Sequence, residues 1–372
     1  MSAIPYSSGS TAFEGSYMEE WLNDTTVDGF LGNLRDYENF IVTDAKWNAT
    51  EDSTSLGSIT RPSNSGTIVT DAVGLLNMYE YQSSNNSETN GYLTNGLVWW
   101  TLTPYSSSRV WTVNNNGGNG NNTTINSFGI RPSINLKSSI KIVDGDGTVD
   151  NPYRLEGDND INLEGTLLNT RYSGEYISFG TGENNLYRIV SHETEGLTKI
   201  TSAEPLKDNG TFKTIAFGET INYSSSSIIG AFLNGEYLTN YVGDNYNNMI
   251  EDNTTWYLGS VGNGSSYKLA KYTDATGTTL RSSITDAKVG LLRFGELLSG
   301  QFEMLSNNAT YYNLTRFSSN NVRQIYTDGK GSYTSGSGGN ASIKPALNLK
   351  SNVIITGGDG TKNSPFTLDL AP

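Results

Sequence analysis

The sequence predicts an α+β fold built twice, and three observations predict it. The stretch Ile130–Leu155, IRPSINLKSSIKIVDGDGTVDNPYRL, returns as IKPALNLKSNVIITGGDGTKNSPFTL from Ile343 to Leu368, with half the positions identical. Further matches lie upstream of both stretches in the same order: Trp99–Gly117 with Tyr311–Gly329, Ala72–Tyr81 with Lys288–Leu297, and Phe13–Leu22 with Phe232–Val242. The composition is that of loop-rich domains, with 41 Gly, 22 Tyr and long Asn/Ser runs but only 17% charged residues in 372. Two domains follow: 1–156, a linker at 157–165, and 166–372.

Taken in order, Phe13, Tyr17, Met18 and Trp21 have helical spacing, so Ser10–Leu22 is expected to be a short amphipathic helix, matched by Ser226–Val242. Residues 23–70 are rich in Asp, Asn, Ser, Thr and Gly and predict irregular structure with small strands, anchored by Trp47 as Trp256 anchors the second copy. Thr70-Asp71 and Thr285-Asp286 stand as N-caps before VGLL, predicting a helix of about three turns in each copy, the second one ended by Gly300. Glu80 and Glu296 recur at one position of that helix; a lone carboxylate there is expected to be solvated or capping.

An aromatic strand follows (Leu97–Thr103; Tyr311–Thr315), then a bent hairpin with Ser106–Ser108 or Ser318–Asn320 at its tip. The runs Asn114–Asn126 and Thr327–Asn340 are almost wholly Asn, Gly, Ser and Thr and are expected to be loops. Each copy closes on a Gly-Asp-Gly turn and a Pro-aromatic strand. Only the second opens with alternating runs, Tyr176–Phe179, Leu186–Val190 and Leu197–Ile200, which describe a β-meander. The first copy therefore lacks its opening strands: either the sequence is a fragment of a longer polypeptide that carries them, or the Glu156–Gly174 segment or a strand from another chain is expected to cover the edge this leaves.

Composition also bounds function. A net charge of −14 without a basic cluster opposes nucleic acid and anionic membrane surfaces. No apolar run is long enough to span a bilayer, and the residues after Met1 have neither the basic nor the apolar region of a secretion signal, so export implies a leader outside this sequence. Zero Cys removes disulfides, thiolate metal sites and the thiol nucleophile. His192, the single histidine, is placed in an exposed turn away from any catalytic arrangement. Asp144, Asp146 and Asp150 have the close spacing of a calcium loop. The second copy keeps Asp359 but has Gly357 and Asn363 for the outer two, so the shared feature is the turn, and no metal or cofactor is expected.

The combination of Trp99, Leu102 and Thr103, Gly129-Ile130-Arg131-Pro132 and the endings Gly145–Pro152 and Gly358–Pro365 resembles a repeat module of bacterial surface and pilin-like proteins, itself similar to C-type-lectin-like and formylglycine-generating-enzyme folds. The second copy departs from it with Ser342 and Lys344 for Gly129 and Arg131. The resemblance implies two tandem C-type-lectin-like domains, each a small twisted antiparallel sheet with two helices and recognition loops on one face. The catalytic members of that group depend on cysteine, which this chain does not contain.

Aromatic rings framed by amides suit a sugar, and Tyr105, Arg109, Trp111, Asn114, Asn115 and Asn116 fall in one hairpin, answered by Phe317, Arg323 and Tyr326. The expectation is a non-enzymatic extracellular adhesion or recognition module on a bacterial surface, whose partner is a host or cell-surface glycan or protein. A pilin-like filament subunit completed by a neighbour's strand is the alternative, and a carbohydrate-binding protein a further one. A carbohydrate-active enzyme would need paired carboxylates across a cleft, and no pair recurs in both copies.

Overall fold

The computed structural model describes residues 3–26, 29–54, 61–83, 93, 96–148, 152–156, 163–192, 194, 196–252, 254–259, 283–299, 309–327 and 331–372. The first half runs β1 (Ala3–Pro5), α1 (Tyr17–Leu22), α2 (Tyr37–Phe40), β2 (Ala45–Asn48), β3 (Ile68–Asp71), β4 (Val73–Leu75) and α3 (Met78–Ser83). It continues with β5 (Trp99–Ser106), β6 (Arg109–Val113), β7 (Asn119–Thr123), β8 (Ser127–Gly129), β9 (Pro132–Ile134), β10 (Ile142–Asp144) and β11 (Arg154–Leu155). The second half opens on β12 (Tyr176–Ser178), β13 (Leu186–Ser191) and β14 (Thr198–Ser202), followed by a hairpin of β15 (Lys207–Asp208) and β16 (Thr211–Phe212).

From β17 (Thr214–Ala216) the chain retraces the first half. It passes through α4 (Ile228–Leu233), α5 (Asp244–Asn247), β18 (Trp256–Tyr257), β19 (Ser283–Ile284), β20 (Val289–Leu291) and α6 (Phe294–Ser299). The closing elements are β21 (Tyr311–Arg316), β22 (Asn321–Ile325), β23 (Gly331–Ser335), β24 (Asn340–Ser342), β25 (Pro345–Leu349), β26 (Val353–Gly357) and β27 (Thr367–Leu370). The fold is mixed α+β. One five-stranded sheet has the order β1-β8-β5-β6-β7 and another the order β17-β24-β21-β22-β23. Each contains one parallel contact at the same place, Trp99 with Gly129 and Tyr311 with Ser342.

Side-chain anchors recur with the topology. The Ser16 hydroxyl accepts the Glu19 N–H at 3.1 Å to start α1, and the Ser227 hydroxyl accepts the Gly230 N–H at 3.2 Å to start α4. At the other end Asn23 accepts the Val73 N–H and donates to the Val73 carbonyl, and Asn234 does the same with Val289. The equivalent of α1 is therefore α4, and Trp21 answers Phe232. This corrects the expected match of Phe13–Leu22 with Phe232–Val242: the shared Phe and Tyr letters are outranked by the serine cap and the asparagine clamp. The helix expected to reach Val242 instead ends at Leu233 and is followed by a single π turn, Leu238–Val242.

Two further expectations are corrected. Val73–Leu75 and Val289–Leu291 are buried strands, and the helices start only at Met78 and Phe294. Gly74 and Gly290 explain why: a Cβ there would lie 2.3 Å from the Trp47 ring and 2.7 Å from the Trp256 ring, so each VGL run is a flat bed for an indole rather than a helical turn. Both indoles donate to the carbonyl two residues before that strand's start, Trp47 to Asp71 and Trp256 to Ala287, each at 2.8 Å. Gly300 lies outside the described residues. The polar runs expected as loops contain the strands β7 and β23, each paired along its length with β6 or β22. An edge strand needs only a backbone ladder, and its outward side chains can be polar.

Candidate functional site

The two halves differ most at one strand. In the second half β25 lies in the middle of a five-stranded sheet, β12-β13-β14-β25-β20, with Thr198, Lys199, Ile200 and Thr201 opposite Leu349, Asn348, Leu347 and Ala346. Its other edge takes β20 and then Ile250. In the first half β9 has that other edge alone, through β4 and then Ile41 opposite Leu136. On the side where β14 would lie, Ser133–Leu136 has no strand partner among the described residues. Since β1 answers β17, residues 166–213 have no counterpart among the described residues of the first half.

The side chains register the difference. Ile134, Leu136, Ile142 and Tyr153 are 40%, 47%, 58% and 54% exposed, whereas their equivalents Leu347, Leu349, Ile355 and Phe366 are all 0% exposed. Ile134, Leu136 and Tyr153 line a groove of about 560 Å³ with Tyr37, Phe40, Arg35 and Arg154, and Asp359 and Thr361 of the second half close part of its rim. In the second half Phe179, directly after β12, packs edge-on against Tyr246, the counterpart of Tyr37, at 5.0 Å. Among its described residues the Glu156–Gly174 segment does not pair with the open edge: Gly165 and Thr166 bond to Ile355 instead, while Tyr172 lies against the Arg35 guanidinium at 5.9 Å beside the groove.

The helix carboxylates show the same asymmetry. Glu296 is buried, its Oε1 lies 2.7 Å from Lys199 Nζ of β14 and 3.4 Å from Arg293, and its Oε2 accepts the Arg293 N–H at 2.7 Å. Glu80 is exposed. It makes a capping box with Asn77, Oε2 accepting the Asn77 N–H and Asn77 Oδ1 accepting the Glu80 N–H, both at 2.9 Å. Asn77 replaces Arg293 and no described residue replaces Lys199, so Glu80 has neither cation.

The residues expected to bind a ligand are dispersed in role. Trp111 is a core residue, 3% exposed, with its indole N–H donated to the Asp52 carbonyl at 2.7 Å and Tyr105 edge-on to its ring at 4.9 Å. That corrects the expectation of a surface ring: the side chain points inward from β6 toward Met78, Tyr81 and Trp99. Arg109 is exposed and donates to the Asn121 amide oxygen at 3.0 Å. Asn114 and Asn116 shape the following turn, accepting the Gly117 and Gly118 N–H groups through a carbonyl and a side-chain oxygen, while Asn115 is exposed.

In the second half Arg323 is buried between Phe294 at 4.8 Å and Phe317 at 4.6 Å, and Phe317 stacks flat on Tyr333 at 3.8 Å. Tyr326 and Tyr333 are the rings exposed there. Sequence reasoning missed Tyr333, which lies opposite Arg323 on β23, because its run was taken as a loop. Asp144 and Asp146 serve their turn, accepting the Gly145 and Thr148 N–H groups; Asp150 lies outside the described residues. No group of three possible metal-ligating side chains occurs among the described residues. His192 is half-buried rather than exposed, its ring nitrogens set against the Leu197 and Arg171 carbonyls, which fastens β13 to the turn before β14.

Residues 3–138 match a family described as Domain of unknown function (DUF6273), a stretch running from β1 to just past β9. No curated protein matches the chain, and no solved structure does.

Proposed function

We propose that the chain is a non-enzymatic extracellular module of two C-type-lectin-like repeats, and that it works by strand-mediated assembly: a β-strand of a partner completes the first repeat, as β14 completes the second. The observation carrying this is the open side of Ser133–Leu136, flanked by apolar side chains whose equivalents are fully buried in the second half. Sheet edges with unpaired donors and acceptors beside an apolar groove take an added strand, backbone bonds supplying affinity and the groove selectivity. Burying the remainder of Ile134, Leu136, Ile142 and Tyr153 contributes roughly 4 kcal/mol, at about 1 kcal/mol for each half-exposed side chain. This reading favours a subunit of a surface filament or adhesive assembly.

Hydrogen exchange joined to light scattering tests it. The amides of Ile134 and Leu136, which face away from β4 and Ile41, exchange fast in the isolated chain and become protected when it assembles. A chain that stays monomeric at high concentration with those amides already protected refutes the reading. Adhesion to a glycan is the second reading, favoured by the exposed faces of Tyr326 and Tyr333 beside the Phe317 stack. A glycan array, with Tyr333→Ala as its control, decides it.

A further inference from the structure

The strand edge also carries information about what it accepts. Opposed residues of an antiparallel pair share a face, so Lys199 lies on the face of Asn348, and Ile200 on that of Leu347. Lys199 reaches Glu296 on its own face, and its ammonium stands 5.6 Å from the Trp256 ring. Every one of these landmarks has a first-half counterpart: Asn135 for Asn348, Ile134 for Leu347, Glu80 for Glu296 and Trp47 for Trp256. The missing member is the lysine. Glu80 is exposed and capped by Asn77, and no cation among the described residues stands where Lys199 and Arg293 stand for Glu296.

We infer that the partner strand completing the first repeat runs antiparallel to Ser133–Leu136 and presents a lysine or arginine opposite Asn135, where it pairs with Glu80, with β-branched or apolar residues opposite Ile134 and Leu136. This rests on the strand-acceptor reading above and adds the chemistry of the accepted strand, a basic segment from outside residues 1–372. An exchanged β14 from a second copy of this chain is disfavoured by its own fastening, because withdrawing Lys199 strands the buried Glu296. Charge complementarity at a single buried pair discriminates between strands that the backbone ladder alone would accept equally.

Two synthetic peptides serve as probes: residues 196–206 of this chain, GLTKITSAEPL, and the same peptide with Lys199→Glu. Binding to the full chain is followed by titration calorimetry and by protection of the amides of Ile134 and Leu136, which face the open edge. The lysine peptide is expected to bind about tenfold more tightly than the glutamate peptide. Glu80→Gln, which retains an acceptor for the Asn77 N–H, abolishes the preference, and Glu80→Lys reverses it. Equal binding of both peptides with protection of the edge overturns the ion pair and leaves strand addition standing. If neither peptide binds, strand addition itself fails. If instead the chain forms oligomers that protect Ile134 and Leu136 and that Glu80→Lys disperses, the occupant is a second copy and the segment from outside residues 1–372 is overturned.

Discussion

Replacing Lys199 by Met removes one member of a buried ion pair and leaves the rest of the fold in place. Lys199 and Glu296 side chains are 3% and 1% exposed and 2.7 Å apart, so neither has water to replace its partner. Arg293 stands 3.4 Å from the same oxygen and retains part of the compensation. The loss is therefore placed at the low end of the range for a broken buried pair, about 3 kcal/mol, and Glu296→Gln loses a similar amount by stranding the ammonium. Replacing both, as Lys199→Met with Glu296→Leu, removes two desolvation costs together and is expected to lie within about 1–2 kcal/mol of the unaltered chain. Urea titration followed by Trp256 emission measures all three. Single losses below about 1 kcal/mol, or a double loss equal to the sum of the singles, refute the claim that this pair fastens the meander to the helix.

Three other outcomes are expected. Asp71 is pushed up to about 6, first by burial and then by Glu19 and Glu14, so the folded chain holds a proton through the window from about pH 4 to 6 that the unfolded chain gives up. Stability then falls as pH rises through that window, and Asp71→Asn raises it at pH 7 by about 1 kcal/mol after allowance for solvent screening, a gain that vanishes below pH 4 in thermal melts. Gly290→Ala drives a methyl group to 2.7 Å from a fully buried indole and costs about 2 kcal/mol in urea titrations, part of which a second change, Trp256→Phe, recovers. Asn234→Ala removes the acceptor of the Lys288 and Val289 N–H groups and the donor to the Gly230 carbonyl, for a loss of about 2 kcal/mol and faster exchange at Val289.

The duplicated plan was legible because the aromatic strands, the VGLL runs and the closing turns recur as letters, with the glycines at 145 and 358 both at positive φ; the serine cap and asparagine clamp, Ser16 with Ser227 and Asn23 with Asn234, recur as well but are outshone in sequence by shared Phe and Tyr letters. The meander was legible because its β-branched and aromatic runs are parted by clear turn residues, Gly182-Glu183-Asn184 and Glu195-Gly196. What misled was local chemistry overridden by distant packing. VGLL has helical spacing, yet only the indole lying on Gly74 or Gly290 decides that the run is a strand, and that indole comes from 27 to 34 residues away. Trp111 looked like a surface ring because its neighbours are polar, while its direction is set by the β5–β6 pairing that turns it toward Trp99. The open edge was foreseeable from the unequal openings of the two copies. The Glu80 asymmetry was not, since the position is the same letter in both and only Lys199, over ninety residues from Glu296 in sequence, distinguishes them.

Five of the six tryptophans lie in the first half, which leaves Trp256 as the single indole of the second. Its ring touches Gly290 and has the Lys199 ammonium 5.6 Å away, whereas the ring of Trp47 lies on Gly74 with no such cation. The chain thus contains an emission probe of its own in each state of the same joint, one with the meander strand seated and one without. A change in the first-half tryptophan emission, to which Trp47 contributes, seen against a Trp256→Phe background, becomes an optical signal that a strand has arrived.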